Sequence, residues 1–289
     1  MLFRSSYPVI NSSAKQIKSA IVNKKKAGPY FHISFEIGEL VKAIKPGNFV
    51  AISVGDGSSA MVLRRAFAIY RIIDKAPLSG VIELVVAAHG SGSKWLAAQE
   101  IGTEIDLVVP LGKAFSIPTE PANALLVGGG YGSAPLFGLA EVLKARGCKV
   151  DMVLGASTAA NIYSPLEGKR SVNSLTLTTD DGSAGIPGRI SEALPTIIRE
   201  QNSEVIYSCG PMPMLAAVSK IAEDFDLPHQ CAVEESMACG IGVCMTCVIP
   251  VREIVDGQET IRMARSCIEG PVMDGAKIVW NKQEMLDKL

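Results

Sequence analysis

The chain has 289 residues, 48% of them hydrophobic, with 28 basic and 29 acidic side chains and a net charge of −1. The length fits two or three domains of about 100 to 150 residues, and the near-neutral charge excludes the broad basic face of a nucleic-acid binder or a polybasic membrane surface. No apolar run reaches the ~18 residues a spanning helix needs, and the first twenty residues are too polar for a secretory leader, so a cytoplasmic location is expected.

Short β-rich runs come first, over 30–34, 49–54, 66–73, 81–88 and 104–109, with turns at Pro46-Gly47-Asn48 and Gly55-Asp56-Gly57. Strands at this spacing without helices between them predict an antiparallel barrel or sandwich. From Asn123 the texture changes. A buried-type strand over 124–127, a glycine loop over 128–132 and a helix over 134–146 are followed by strands 149–154 and 174–178, helix 190–199, strand 205–208 and helix 212–224. Alternation of this kind predicts a parallel α/β sheet. After Pro228 a cysteine-rich tail begins, with a hairpin expected at Asp256-Gly257.

Three stretches carry chemistry. In Val127-Gly128-Gly129-Gly130-Tyr131-Gly132-Ser133, a strand runs through a glycine turn into a helix start. Such a turn lets backbone N–H groups approach a pyrophosphate, although a tight strand-to-helix connection alone would look the same. Asp151 stands about twenty residues on, where a ribose-binding acid is often sought, but near the start of its strand. The strand end at 156–158 is the better ribose position, and its lack of Arg or Lys favours NAD over a 2′-phosphorylated cofactor. Ser208-Cys209-Gly210-Pro211 would face the same crevice, with Cys209 and Gly210 at a nicotinamide edge; an ordinary Gly-Pro break before a helix is the plain alternative.

The third stretch places Cys239, Cys244 and Cys247 at C-x4-C-x2-C spacing, with Cys267 after nineteen further residues. This is the plant-type [2Fe-2S] ligand pattern, and Gly240 and Gly242 supply backbone freedom for a loop that turns thiols inward. A four-cysteine zinc site more often uses two C-x2-C type pairs, and disulfides suit a reducing compartment poorly. Cys148, Cys209 and Cys231 remain outside the set. His32, His89 and His229 show no ligand spacing.

Taken with Leu63-Arg64-Arg65-Ala66-Phe67-Ala68, Gly90-Ser91-Gly92-Ser93-Lys94-Trp95-Leu96, Pro110-Leu111-Gly112, Thr179-Asp180-Asp181-Gly182-Ser183 and Cys267-Ile268-Glu269-Gly270-Pro271-Val272, these motifs make the chain from about Lys18 onward resemble the ferredoxin-reductase-like flavoproteins. Within them it most resembles the electron transfer subunits of class B dihydroorotate dehydrogenases. The resemblance implies a multi-domain chain: an FAD-binding antiparallel β-barrel over 1–118, a nicotinamide-binding α/β parallel-sheet domain over 119–228 and a small [2Fe-2S] domain over 229–289.

It further implies Arg65 on the flavin pyrophosphate, a task suited to a guanidinium, although Arg64-Arg65 could also be a solvated pair. Ala66, Phe67 and Ala68 follow along the flavin, with Ala66 and Ala68 standing where the family has Pro and Ser. Val85, Val86 and Ala87 would line the ring by backbone contacts, and Gly92 and Ser93 would donate to the pyrophosphate. Gly129, Gly130, Gly132, Cys209 and Gly210 would hold NAD, and Asp180-Asp181-Gly182 reads as a plain turn. A flavin between NADH and a one-electron cluster can trade electrons singly or in pairs. Nothing in the chain resembles an FMN-binding (β/α)8 barrel. The resemblance therefore implies a separate FMN-containing dihydroorotate dehydrogenase catalytic subunit, in a heterotetramer of two copies of each, serving pyrimidine biosynthesis. The same machinery serving another complex, such as a ferredoxin:NADP or sulfide oxidoreductase or an oxygenase reductase, is the alternative.

Overall fold

The computed structural model describes residues 13–56, 59–74 and 80–281. Among them, β1 (Lys15–Ala27), β2 (Tyr30–Glu36), β3 (Phe49–Ile52), β4 (Arg65–Ile73), β5 (Val81–Ala87) and β6 (Glu104–Leu111) form a closed barrel in the order β1-β2-β5-β4-β3-β6. β6 returns antiparallel to β1, so no edge is left open. Successive side chains point to opposite faces. On β5, Ile82, Leu84 and Val86 fill the interior with Ile33, Ile52 and Leu107, whereas Val85 and Ala87 turn outward. The expected strands all form. β1 was not anticipated, because it is Lys-rich and largely exposed; pairing with β2 on one side and β6 on the other fixes it. The turn expected at Gly55-Asp56-Gly57 lies partly outside the described residues. Helix α1 (Ser91–Ala98) follows β5.

The second body is a parallel sheet. Its elements are β7 (Asn123–Gly129), α2 (Ala134–Ala145), β8 (Lys149–Ala156), α3 (Pro165–Ser171), β9 (Ser174–Thr179), β10 (Ile186–Pro187), α4 (Ile190–Gln201), β11 (Val205–Cys209), α5 (Met212–Asp224) and β12 (His229–Ala232). The chain winds outward from β7 through β8, β9 and β10, then returns to the other side of β7 with β11 and β12. This reversal leaves a crevice at the carboxyl ends of the strands, where ligands of such sheets bind.

The cysteine-rich segment departs from this sheet and comes back to it. β13 (Val248–Val255) and β14 (Gln258–Arg265) form the expected hairpin at Asp256-Gly257, and α6 (Ser266–Glu269) leads to β15 (Val272–Asp274). β15 pairs antiparallel with β12, which itself runs parallel to β11. A boundary at 228/229 therefore falls between strands of one sheet.

Barrel and sheet share a core. Tyr30, Tyr70, Val85 and Ala87 of the barrel pack with Phe137, Tyr163 and the inner side chains of the sheet. The polar rims of these rings are tied across the seam. The Tyr163 hydroxyl meets His32 Nε2 at 3.1 Å, His32 pairs with Glu83, and Tyr70 and Arg71 both bond the Glu167 carboxylate. Among the described residues no helix is long and apolar enough to cross a membrane.

Candidate functional site

A cleft of about 1170 Å³ lies between the barrel and the carboxyl ends of the sheet strands, larger than the roughly 300–1,000 Å³ of a single small-ligand pocket. On the barrel side, Arg65, Ala66, Phe67 and Ala68 of β4 and Val85 and Ala87 of β5 line it. Strand alternation buries the Val86 side chain completely in the barrel core, so only its backbone could meet a ring in the cleft. Gly92 and Ser93 line the wall at the start of α1. The Ser93 hydroxyl is already engaged there, accepting from the Gly90 N–H at 3.1 Å.

The two neighbouring arginines part company. Arg64 is held by Asp106, at 2.8 Å to its carboxylate and 3.1 Å to its carbonyl. Arg65 turns into the cleft and donates to the carbonyls of Leu63, at 2.7 Å, and Arg64, at 3.3 Å. A guanidinium that forms no ion pair among the described residues, facing a cavity beside a helix start, suits an anionic ligand such as a pyrophosphate.

On the sheet side, Gly129, Gly130 and Gly132 at the end of β7 and Cys209 and Gly210 at the end of β11 line the same cleft. The two loops touch backbone to backbone. A Cβ on Gly132 would stand 3.0 Å from Gly210 Cα, and one on Gly210 would stand 3.0 Å from Gly129 N. Only glycine permits that approach, which brings the two motifs together into one floor. Burial, and then Glu234, push the Cys209 thiol up to about 12, so it is a neutral wall there and not a nucleophile. Asp151 lies elsewhere. It is buried, accepts from Ser174 Oγ at 2.6 Å and sits 3.3 Å from Lys149 Nζ. Ala156 and Ser157 do line the cleft, and Asp180 joins them. Asp181 beside it belongs to the turn, accepting from Ser183 N at 3.0 Å.

The cluster loop gets its shape without regular structure. Gly240 and Gly242 adopt φ of 72° and 81°, and Met245 joins them at 58°. Two N–H groups, of Ile241 and Val243, point at Cys239 Sγ from 3.4 Å. The Arg265 guanidinium braces the loop at the Gly242 carbonyl, 2.8 Å away. Cys239 and Cys244 lie close enough to interact, and so do Cys247 and Cys267. Among the described residues no three His, Cys, Asp or Glu side chains meet as ligands of a single ion. Two thiol pairs are instead what a two-iron group requires, and four thiolates are its usual ligands.

The electrostatics agree. Hydrogen bonds from Thr246, and then from Cys239, lower the exposed Cys244 thiol to about 6. Burial, followed by its bond to Cys247, pushes Cys267 up to about 12, so Cys267 gives up its proton only when a cation replaces it. Together the residues fit an iron-sulfur group whose buried side is Cys247 and Cys267 and whose exposed side is Cys244.

Phe49 and Met237 connect the two sites. Both line the cleft, and both pack in the small core that holds Cys247, Cys267 and Ile268. Neither residue carried a signal in the sequence. The same is true of His89, Arg189, Glu234 and Glu235, which line the cleft from loops.

The family model for the iron-sulfur cluster binding domain of dihydroorotate dehydrogenase B matches residues 234–279, the span that contains the four thiols. The chain is 37% identical over 246 residues to the dihydroorotate dehydrogenase B (NAD(+)) electron transfer subunit of Geobacillus kaustophilus, covering 84% of this chain and 90% of that one. It is 31% identical over 270 residues to the corresponding subunit of Enterococcus faecalis, covering 92% and 98%. Among solved structures it is similar to that of the NADH-dependent reduced ferredoxin-NADP oxidoreductase, described in connection with flavin-based electron bifurcation, at a TM-score of 0.77 and 30% identity over 94% of this chain and 92% of that one. The ferredoxin reductase in carbazole 1,9a-dioxygenase, at a TM-score of 0.61 and 18% identity over 74% and 67%, shares the fold.

Proposed function

The chain belongs to the family of dihydroorotate dehydrogenase B electron transfer subunits, and from that premise we propose that it moves electrons between NAD(H) and a catalytic partner subunit through FAD and a [2Fe-2S] cluster. The observation that carries this reading is the shared wall: Phe49 and Met237 belong at once to the cleft and to the core under the thiols. Bound together, the three groups supply hydride exchange on one side and single-electron exchange on the other.

The chain's own residues position and insulate them. Arg65 offers its charge to the flavin pyrophosphate, with Gly92 and Ser93 beside it, while Ala66, Phe67, Ala68, Val85 and Ala87 give the ring an apolar bed. Gly129, Gly130, Gly132 and Gly210 present backbone to the dinucleotide, and Cys209 closes the nicotinamide edge as a neutral thiol. Ser157 and Asp180 stand where the ribose hydroxyls of NAD would accept and donate, and a carboxylate at that place disfavours a 2′-phosphate. Cys239, Cys244, Cys247 and Cys267 hold the iron, with exposed Cys244 nearest the exit.

The partner in this reading carries FMN, and the complex is a heterotetramer of two copies of each subunit working in the cytoplasm on pyrimidine biosynthesis. A second reading, the same relay serving a different flavoenzyme, draws on the likeness to the ferredoxin-NADP oxidoreductase over nearly the whole chain. Co-expression with a dihydroorotate dehydrogenase catalytic subunit tests the choice. Under the first reading a stable complex forms and dihydroorotate reduces NAD+ in it. Failure to bind that subunit, with FAD and iron present in the isolated chain, would favour the second reading.

A further inference from the structure

Three buried side-chain atoms among the described residues meet no hydrogen-bond partner, and one of them, Ser266 Oγ, belongs to the residue just before Cys267. Ser266 is completely buried. Its backbone is fully used: the N–H donates to the Cys247 carbonyl at 2.9 Å, and the carbonyl accepts from Gly270 N at 3.1 Å. The hydroxyl is left over, and a buried hydroxyl without a partner is costly enough to need an explanation.

Its place follows from the hairpin. β13 and β14 pair Ile249 with Ala264 and Val248 with Arg265. The Ser266 N–H to Cys247 carbonyl bond continues that ladder by one more pair. Opposed residues put their side chains on the same face, and faces alternate along each strand. Ile249 and Ala264 share one buried face, and Cys247 and Ser266, one pair beyond the strands, are buried as well. Val248 and Arg265 take the other face, from which the Arg265 guanidinium reaches the Gly242 carbonyl. The orphaned hydroxyl thus belongs to the residue bonded to the backbone of Cys247 and next in the chain to Cys267, the buried cysteine pair.

We propose that the Ser266 hydroxyl is a positioning donor for the bound cluster, hydrogen-bonding one of its sulfide sulfurs, and that it sets the cluster's reduction potential. The inference rests on the reading of the four thiols as iron ligands. A donor to sulfur stabilises the more negative, reduced form and so raises the potential.

The test is a redox titration of the holo-chain, followed by the electron paramagnetic resonance signal of the reduced cluster. Ser266→Ala keeps its iron and sulfide content and loses reduced cluster roughly threefold at a fixed potential, a downward shift of about 28 mV on the scale of 59 mV per tenfold for a one-electron couple. Ser266→Thr, which keeps the hydroxyl, holds the wild-type value. An unchanged potential in the alanine variant, or equal shifts in both variants, overturns the proposal and leaves the cluster assignment standing. Wild-type chain without iron and sulfide would instead overturn the assignment beneath it. Should the alanine variant load too little cluster to titrate, hyperfine coupling in wild-type protein decides. An exchangeable hydroxyl proton coupled to the reduced cluster supports the donor, and its absence rules the donor out.

Discussion

The cleft and the cluster loop are built by opposite means. Regular structure makes most of the cleft: strand ends of a parallel sheet meet the outer face of a barrel, and loops at their ends complete the lining. The cluster loop has no such frame. Three left-handed residues, two N–H groups aimed at sulfur and one guanidinium give it form. A floor of strands tolerates changes in any one contact, whereas a loop held by a few local devices depends on each of them and on the metal it surrounds.

Substitutions can separate the two designs. Cys244→Ser has the largest effect expected: the cluster is lost and electron delivery to the partner falls by about a hundredfold or more, while NADH still reduces the flavin at near the wild-type rate. Stopped-flow flavin reduction beside partner-dependent turnover reads both, and equal loss of the two would refute the assigned order of carriers. Next in size is Gly210→Ala. Its Cβ would press on Gly129 backbone at 3.0 Å and on Met214 Cε at 2.8 Å, so the loops part and the Kd for NADH rises about tenfold, some 1.4 kcal/mol. Iron content and melting temperature should stay unchanged; a fall in iron would mean that the cleft is not independent of the loop.

Gly242→Ala strikes the loop without touching a ligand. At φ 81° an L residue costs about 1–2 kcal/mol, and the added Cβ would lie 2.6 Å from Ile268 Cδ1. Iron occupancy drops on dilution or mild chelation while NADH affinity holds. The smallest effect belongs to the sheet. Burial holds His229 down to about 4, against an ordinary 6.5, so it is neutral in the fold and protonates more readily once unfolded. The stability it contributes is complete above pH 6.5 and is lost as the pH falls toward 4, by on the order of 1 kcal/mol near pH 5.5. Denaturant midpoints of His229→Gln and wild type should converge on acidification.

The same contrast explains what could be read in the sequence. The cluster was legible because its chemistry is local: three thiols and two glycines within nine residues state a spacing that few other structures need. The parallel sheet was legible from the alternation of strands and helices, and its glycine loops from their place at strand ends. Phe49 and Met237 were not, since a core phenylalanine on a barrel strand looks the same whether or not a second site lies behind it. β1 was hidden because its many exposed lysines blur the alternation. Ser266 gave no sign, as its interest lies in a bond it does not make.

The return of β15 to β12 has a mechanical consequence. A segment sewn at both ends into one sheet edge cannot swing out like an arm on a hinge. The spacing between the dinucleotide floor and the thiols is then a constant of the scaffold.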